Sequence, residues 1–194
     1  MSDAYRELEY KYKADNVSLS DFTTLMENLN PERRLDISSW DVYFTPETQS
    51  GEVEKFMRFR DSDIPELTIK RKTKSSNNWD RVEIDLPLSK ELATERIVGD
   101  FVALEGYKKN FKIYKTCFIF WFDLFNVVYY IVYDENMKEK GKFIEIEIDK
   151  KKVPEIGLEE AKSMLNDIEK NTLDVLNITH KNRMRNSLFE LFKK

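Results

Sequence analysis

Cysteine and histidine are nearly absent from this sequence, with one of each in 194 residues. Cys117 alone excludes an internal disulfide framework and suits a reducing, cytoplasmic environment. His180 is the only histidine, and no serine, histidine and aspartate follow one another in the order of a nucleophilic triad. The glycine-rich P-loop of many nucleotide-binding proteins is missing as well. A disulfide-stabilised domain, a triad hydrolase and a P-loop protein are therefore not indicated.

An excess of charge of one sign is also missing, although charged residues make up 35% of the chain. The net charge of −4 gives no reason to expect nonspecific binding to nucleic acid. The first residues lack the apolar stretch of a signal peptide. The largely apolar segment 117–133 falls short of the roughly 20 residues of a spanning helix and contains Asp123 and Asn126. Its many Phe, Tyr, Val and Ile residues predict two strands joined near 123–126, with a membrane or interface role as the alternative.

The most informative pattern is a pair of carboxylates two residues apart near each end of the chain. Glu7 and Glu9 form the first pair, Glu145 and Glu147 form the second, and an apolar residue lies between the members of each. Because side chains at i and i+2 of a strand share one face of a sheet, each pair predicts a strand with two acids on one face. Crowded carboxylates favour a bound cation, and Mg²⁺ or Mn²⁺ suits oxygen ligands best.

Alternating apolar residues and turn-forming residues predict eight strands and four helices. The strands are expected at about 5–13, 36–46, 54–61, 66–73, 79–87, 110–122, 126–134 and 141–150. The helices are expected from a cap at Ser18 or Ser20 to Leu29, from a cap at Ser89 to Leu104, over 158–170, and over 186–192. No repeat or long linker interrupts this order. We therefore expect one α+β domain over residues 1–194, built on a large antiparallel sheet.

Charged and apolar residues alternate along most of these strands, and the sign of the charge differs between strands. Acids predominate on the first and last strands, and bases predominate on the third and fourth. A half-buried sheet with its charges in water would also alternate, but it would more often mix the two signs. Eight strands can instead close into a β-barrel whose charged faces line the lumen. Helices and loops would then cover the apolar outer face.

Closure of the barrel would bring many charged side chains together. The bases would be Lys11, Arg58, Arg60, Lys70, Lys72, Arg81 and Lys115. The acids would be Glu7, Glu9, Glu83, Asp85, Asp134, Glu145 and Glu147. Buried charges are tolerated when they pair with one another and when they bind a highly charged ligand. A polyphosphate with divalent cations satisfies both signs, because bases hold phosphate oxygens and acids hold the metal ions.

Short motifs follow one another in a fixed order along residues 5–192. They are Glu7-x-Glu9-x-Lys11, Asp41-Val-Tyr-Phe-Thr-Pro46, Phe56-Met-Arg-Phe-Arg60, Glu66-Leu-Thr-Ile-Lys70, Gly106-Tyr107 with Ile113-Tyr-Lys115, Asp134 with Gly141-Lys-Phe-Ile-Glu-Ile-Glu147, and Ser187-Leu-Phe-Glu-Leu191. The set resembles the motifs of the CYTH superfamily, the triphosphate tunnel metalloenzymes. Two positions depart from the family pattern: Cys117 stands where an arginine is usual, and Thr45 stands where an aspartate is common.

The resemblance implies an eight-stranded antiparallel tunnel that binds triphosphate compounds with Mg²⁺ or Mn²⁺. Members of the superfamily include thiamine triphosphatases, inorganic triphosphatases and class IV adenylyl cyclases. By position, the implied metal ligands are Glu7, Glu9, Asp134, Glu145 and Glu147, supported by Glu83 and Asp85. The implied phosphate contacts are Lys11, Arg58, Arg60, Lys70, Lys72, Arg81 and Lys115.

We expect a metal-dependent triphosphatase that hydrolyses inorganic tripolyphosphate, thiamine triphosphate or a nucleoside triphosphate. Lys11 or Lys70 could act as general base if neighbouring cations depressed its pKa. The alternatives are a class IV-type adenylyl cyclase that makes cyclic AMP from ATP, and a nucleotide- or polyphosphate-binding protein without turnover. The missing arginine at Cys117 keeps the last alternative open, because a bidentate phosphate donor is lost.

The expected partner is a small-molecule triphosphate or nucleotide. We expect no membrane partner, and no nucleic acid other than a 5′-triphosphate RNA end. Relatives often form homodimers, but no motif in this sequence indicates the oligomeric state.

Overall fold

The strands of this protein close into a single barrel. The computed structural model describes residues 6–48, 54–72, 80–184 and 186–193. The strands are β1 (Arg6–Lys13), β2 (Arg33–Pro46), β3 (Lys55–Asp61), β4 (Glu66–Lys72), β5 (Asp80–Pro87), β6 (Tyr107–Trp121), β7 (Phe125–Tyr133) and β8 (Glu139–Ile148). Around the barrel they follow the order β1-β5-β4-β3-β2-β6-β7-β8, and all neighbours are antiparallel. The predicted α+β class and closed barrel are therefore confirmed. Residues 5, 73 and 79, at the ends of predicted strands, lie outside the described residues.

Alternation along each strand assigns charged side chains to the lumen and apolar side chains to the outer face. On β1, Glu7, Glu9 and Lys11 line the internal cavity, whereas Leu8 and Tyr10 are buried in an apolar cluster outside the barrel. A register slip of one residue would exchange the two faces completely. The charged faces of the strands therefore lie inside the barrel rather than in bulk water.

Helices cover the outer face of several strands, as predicted. The α-helices of the described residues are α1 (Leu19–Asn28), α2 (Glu95–Leu104), α3 (Val153–Ile156), α4 (Leu158–Ile168) and α5 (Leu188–Phe192). Phe22 of α1 and Leu165 of α4 are buried in the cluster that also holds apolar residues of β1, β7 and β8. Val98 and Val102 of α2 pack in another cluster, with residues of β2 and β3. Full burial of an apolar side chain of this size contributes about 1.5–3 kcal/mol to stability.

The helix boundaries differ from the prediction at two places. The helix expected from Ser89 begins at Glu95, because the Ser89 carbonyl accepts hydrogen bonds within a preceding turn and Thr94 provides the cap. The Thr94 hydroxyl accepts a hydrogen bond from the Ile97 N–H. The helix expected to end at residue 170 continues beyond α4 as a π-helical turn over Glu169–Leu173. The short helix α3 was not predicted.

The apolar segment 117–133 forms strands, as predicted from its β-branched and aromatic residues. β6 ends at Trp121, and β7 begins at Phe125. Outward-facing residues of both strands pack against the helices, whereas inward-facing ones reach the lumen. No helix within the described ranges is both long enough and apolar enough to cross a membrane.

Candidate functional site

The barrel encloses a cavity of about 270 Å³ whose wall carries charges of both signs. The acids are Glu7, Glu9, Glu66, Glu83, Asp85, Glu145 and Glu147. The bases are Lys11, Arg58, Arg60, Lys70, Arg81, Lys115 and Lys150. Many are almost completely buried, with an exposed fraction of 3% for Glu7 and 5% for Lys11 and Arg81. Charges removed from water in this way cost several kcal/mol each unless they have partners. The partners of each charge therefore decide what the cavity can bind.

The two predicted acid pairs meet because β1 and β8 are neighbours. Glu9 lies opposite Glu147, and Lys11 lies opposite Glu145. Lys11 Nζ is 3.1 Å from Glu9 Oε1 and 2.8 Å from Glu145 Oε1, so one ammonium group neutralises an acid of each pair. Burial acts to raise the pKa of Glu9, but Lys11 and Lys70 lower it to about 2. Glu9 is therefore ionised at all physiological pH values.

Lys70 bridges two further acids of the lumen. Its Nζ lies 2.5 Å from Glu7 Oε1 and also contacts Glu83 Oε2. Burial and the neighbouring carboxylate of Glu83 raise the pKa of Glu7 well above its ordinary value. The second oxygen of Glu7, Oε2, is buried and has no hydrogen-bond partner among the described residues. Because buried polar atoms are normally paired, this oxygen is a candidate ligand atom.

Glu147 is the other acid that resists ionisation. Burial, together with the carboxylates of Glu83 and Glu9, raises the pKa of Glu147 to about 8. The protonated form is therefore favoured at neutral pH while no cation is bound. Metal binding requires deprotonated carboxylates, so a cation would have to displace the proton from Glu147.

The donor set fits a hard cation, but its arrangement in this structure is one of ion pairs. Carboxylate oxygens are the ligands that Mg²⁺ and Mn²⁺ prefer. In the described ranges, however, no group of three acidic, histidine or cysteine side chains is arranged to hold a metal ion. Lys11 and Lys70 lie between the acids instead. A metal ion could enter only if these ammonium groups turned away from the carboxylates.

Asp41 organises the basic side of the lumen, although the sequence prediction gave it no role. Its side chain is fully buried and accepts hydrogen bonds from Arg60 Nε at 2.9 Å and Arg60 Nη2 at 3.2 Å. Lys115 Nζ lies 2.7 Å from Asp41 Oδ2, the oxygen that also accepts from Arg60 Nη2. Burial acts against ionisation, but Arg60 and Lys115 hold the pKa of Asp41 well below its ordinary range. Asp41 thus fixes the positions of two cations at the cavity wall.

Lys150 is a second residue that the prediction missed. Its Nζ lies 3.3 Å from Glu83 Oε1 and also contacts Asp85. It follows the end of β8 at Ile148, where the two-residue period of a strand no longer assigns side chains to a face. Only the closed structure brings it back to the acids of β5.

Two predicted site residues lie elsewhere. Lys72 pairs with Glu190 of α5 at 2.8 Å, and the described residues that line the cavity do not include it. Asp134 lies in the turn between β7 and β8, where its Oδ1 accepts hydrogen bonds from the N–H groups of Asn136 and Lys138. Its carboxylate stabilises a turn outside the lumen. The expectation that Asp134 belongs with the metal-site acids is therefore not supported.

The predicted general base is not supported either. The prediction required neighbouring cations to depress the pKa of Lys11 or Lys70. Burial acts to lower both pKa values, and the cations Arg81, near Lys11, and Arg58, near Lys70, act in the same direction. However, the carboxylates beside them, Glu145 for Lys11 and Glu7 for Lys70, raise both pKa values above the ordinary value. Both side chains are ammonium ions that donate hydrogen bonds and do not accept protons.

The C-terminal helix α5 forms part of the cavity wall. Ser187 caps it by accepting a hydrogen bond from the Glu190 N–H. Phe189 stacks on Phe56 of β3, with ring centroids 4.8 Å apart. Ser187, Leu188 and Phe189 all line the cavity. The closing motif of the sequence is thus the segment that contributes this part of the wall.

Comparison with known proteins gives a result for structure only. No protein-family model matches the sequence, and the sequence matches no curated protein. A conserved hypothetical protein from Pyrococcus furiosus is 22% identical and has a TM-score of 0.70, covering 96% of this chain and 99% of that one. The PH1012 protein from Pyrococcus horikoshii is 21% identical, with a TM-score of 0.69 and coverage of 95% and 98%.

The structure of a proposed adenylate cyclase from Vibrio parahaemolyticus is also similar. It is 14% identical, with a TM-score of 0.64, and the match covers 95% of this chain and 96% of that one. At these identities the likeness concerns the fold. The likeness agrees with the closed barrel of eight antiparallel strands that the resemblance to the CYTH superfamily implied for this chain.

Proposed function

We propose that this protein is a metal-dependent hydrolase of a triphosphate compound bound in the barrel lumen. The observation that carries the proposal is the combination of two clusters in one closed cavity. Basic side chains able to bind phosphate oxygens line it together with acids of two adjacent strands able to hold a cation. A polyphosphate with a divalent cation is the ligand that compensates both sets at once.

Phosphate binding is assigned to the bases of the cavity wall. They are Lys11, Arg58, Arg60, Lys70, Arg81 and Lys115. In the ligand-free protein these side chains are held by carboxylates, as Lys70 is by Glu7. A phosphate oxygen can take the place of a carboxylate oxygen without leaving the cation unpaired. A charge-assisted hydrogen bond of this kind contributes about 1.5–3 kcal/mol.

Cation binding is assigned to Glu7, Glu9, Glu145 and Glu147. When bound there, Mg²⁺ or Mn²⁺ would neutralise charge on the phosphates and act as a Lewis acid. Glu147 gives up a proton on binding, because its raised pKa favours the protonated form beforehand. Lys11 is then free to turn from the acids to phosphate oxygens.

Asp41 keeps the remaining cations in place during turnover. Phosphoryl transfer depends mainly on positioning and on stabilisation of charge spread over the phosphoryl oxygens. Asp41 holds Arg60 through two hydrogen bonds and Lys115 through one contact, so neither cation has to be ordered when the ligand arrives. The burial of these groups also excludes bulk water from the phosphate chain.

Product analysis tests the proposal. The purified protein is incubated with ATP, thiamine triphosphate or tripolyphosphate, each with Mg²⁺ or Mn²⁺, and the products are resolved by chromatography. Release of orthophosphate, with ADP when ATP is the substrate, supports hydrolysis. Pyrophosphate together with cyclic AMP would instead assign the protein to the cyclases.

A binder without turnover is the second candidate, and Cys117 favours it. This residue lines the cavity at the position where the resembling family has an arginine. A thiol cannot replace the two N–H donors of a guanidinium. The charge that develops on the phosphate oxygens in the transition state is therefore stabilised by one group fewer. A ligand that raises the melting temperature but is never turned over would establish this function and overturn the hydrolase.

A further inference from the structure

One side of the cavity wall, formed by β2, β6 and β7, carries a group of apolar side chains. The group consists of Ile37 of β2, Cys117, Ile119 and Trp121 of β6, and Val128 of β7. We call these five side chains the apolar wall. None of them takes part in the assignments of phosphate or cation binding made above.

The strand register makes the apolar wall a continuous patch. Ile37 lies opposite Cys117 in the β2–β6 pair, and Ile119 lies opposite Val128 in the β6–β7 pair. Directly opposed side chains in a sheet are close enough to touch. Cys117, Ile119 and Trp121 follow one another at intervals of two residues and so share one face of β6. The patch therefore runs across three neighbouring strands.

The apolar wall is incompletely covered. Ile37, Ile119 and Val128 pack against a buried cluster that includes Cys117, but they are themselves only partly buried, although they belong to the interior of a closed barrel. On the outer faces of the same strands, Phe120 and Val127 are completely buried under helices. When an apolar group of a ligand covers partly exposed side chains of this kind, apolar surface is removed from water, which favours binding.

Asn126 adds a polar atom at the edge of the apolar wall. It lines the cavity and lies between Trp121 of β6 and Glu147 of β8 in the strand register. Its Nδ2 donates to Glu147 Oε2 at 3.4 Å, which orients the amide. Its Oδ1 is buried and has no hydrogen-bond partner within the described part of the chain. An N–H donor on a ligand would satisfy this oxygen.

We propose that the apolar wall binds the organic group of an organic triphosphate, and that this group is a nitrogen heterocycle carrying an N–H donor. The inference rests on the proposed function and narrows its substrate class, since inorganic tripolyphosphate would leave the apolar wall uncovered. The heterocycle packs on Ile37, Ile119 and Val128, and its N–H donates to Asn126 Oδ1. Lys115, two residues from Cys117 on β6, lies where the phosphate chain leaves the apolar wall.

Calorimetric titration in the presence of Mg²⁺ tests the proposal, with tripolyphosphate, ATP and thiamine triphosphate as probes. We expect ATP or thiamine triphosphate to bind at least about tenfold more tightly than tripolyphosphate. Ile119→Thr should reduce this preference about three- to tenfold and leave tripolyphosphate affinity within about twofold of wild type. Ile84→Thr makes the same change on the outer face of β5, where the side chain is 44% exposed, and should alter neither affinity.

The design separates the inference from the proposed function. Equal affinities for all three probes, unchanged by Ile119→Thr, would overturn the organic subsite and leave a tripolyphosphate-binding tunnel standing. Binding of none of the probes would overturn the proposed function and the inference with it. Val128→Thr, which nearly preserves side-chain shape, repeats the test should melting curves show that Ile119→Thr does not fold.

Discussion

Neighbouring residues on one strand of this barrel face opposite surroundings. On β1, Leu8 is 1% exposed and packs in the outer apolar cluster, whereas Glu7 and Glu9 on either side lie among the charges of the lumen. The outer face needs nothing further, because apolar burial is favourable by itself. The inner face is stable only through ion pairs, and Glu7 still retains an unpartnered oxygen among the described residues.

The outer and inner faces of the barrel wall are therefore stabilised in different ways, by apolar burial and by ion pairs. A barrel of this size could be filled with apolar side chains, and replacing buried ion pairs by apolar residues is often neutral or stabilising. Burial first, and the carboxylate of Glu83 next, raise the pKa values of Glu7 and Glu147 more than the neighbouring cations lower them. The outer face therefore accounts for the fold, and the proposed triphosphate ligand would account for the charges of the inner face. The changes below separate the two.

The largest effect is expected from the metal-site acids. Glu7→Gln or Glu9→Gln should reduce metal-dependent turnover to the background of the assay, because a carboxylate that holds the cation is lost. Glu7→Gln should leave the metal-free melting temperature unchanged or higher, since burial and Glu83 already favour the neutral form of Glu7. Phosphate release and thermal melting measure the two results. Turnover close to wild type in both variants would remove these acids from the site.

The matched change on the outer face should have the opposite result. Leu8→Ala removes a fully buried side chain between the two acids and should lower the free energy of unfolding by about 2–5 kcal/mol. Folded Leu8→Ala protein should bind tripolyphosphate as wild type does. Denaturant unfolding and calorimetry below the melting temperature check this pair of outcomes. A loss of affinity with unchanged stability would mean that the two faces are not independent.

Phosphate contacts should show an intermediate effect. Arg58→Ala, Arg60→Ala and Lys70→Ala should each weaken tripolyphosphate binding about ten- to a hundredfold, as expected for one buried charge-assisted contact. The slope of log affinity against log salt should become shallower in each variant. Kinetic and calorimetric titrations at several salt concentrations give these values. If all three variants bind tripolyphosphate as tightly as wild type does, these bases have a purely structural role.

Stability of the ligand-free protein should fall as pH rises from about 5 to 8. Glu147 has a folded-state pKa raised to about 8, so in this interval the folded state binds more protons than the unfolded state. Acids with lowered pKa values, such as Glu9 at about 2, are ionised in both states above pH 5 and do not contribute there. Glu147→Gln should flatten the profile. A wild-type stability that rises with pH over this interval would contradict the assignment.

Cys117→Arg should produce the smallest change. Cys117 lines the lumen, so an added guanidinium meets the phosphate chain and should strengthen tripolyphosphate binding a few-fold. The substitution also interrupts the apolar wall, so the ratio of the affinity for ATP to the affinity for tripolyphosphate should decrease. Titration with tripolyphosphate and ATP reads both effects. A large fall in melting temperature without tighter binding would mean that the cavity cannot hold a further cation beside Lys115.

The sequence predicted the fold because the period of two is carried by each strand separately. On β1 and β8, alternation alone places Glu7, Glu9, Glu145 and Glu147 on one face, and the structure has them in the lumen. The position of Cys117 on the inner face of β6 follows from the same rule. Strand boundaries agree with the prediction within a few residues for this reason.

Contacts between strands that are distant in sequence could not be predicted in this way. Asp41 is recognisable only when β2 lies between β3 and β6, which brings Arg60 and Lys115 to its two sides. The expectation for Asp134 shows the opposite limit. Its place in a motif suggested a position in the lumen, but its carboxylate accepts hydrogen bonds within the turn between β7 and β8. The pKa values of Lys11 and Lys70 likewise depend on carboxylates from other strands, which the pattern of a single strand does not reveal.

Thermal melting with tripolyphosphate and Mn²⁺ tests most directly the claim that the inner face exists for a ligand. Wild type and the Glu7→Gln/Glu9→Gln double variant are melted alone, with tripolyphosphate, and with both additions. We predict that tripolyphosphate raises the wild-type melting temperature and that Mn²⁺ adds a further increase. In the double variant, compared with its own melting temperature without additions, the Mn²⁺ increase should be absent. A wild-type melting temperature unmoved by both additions, or a full Mn²⁺ increment in the double variant, would contradict the account.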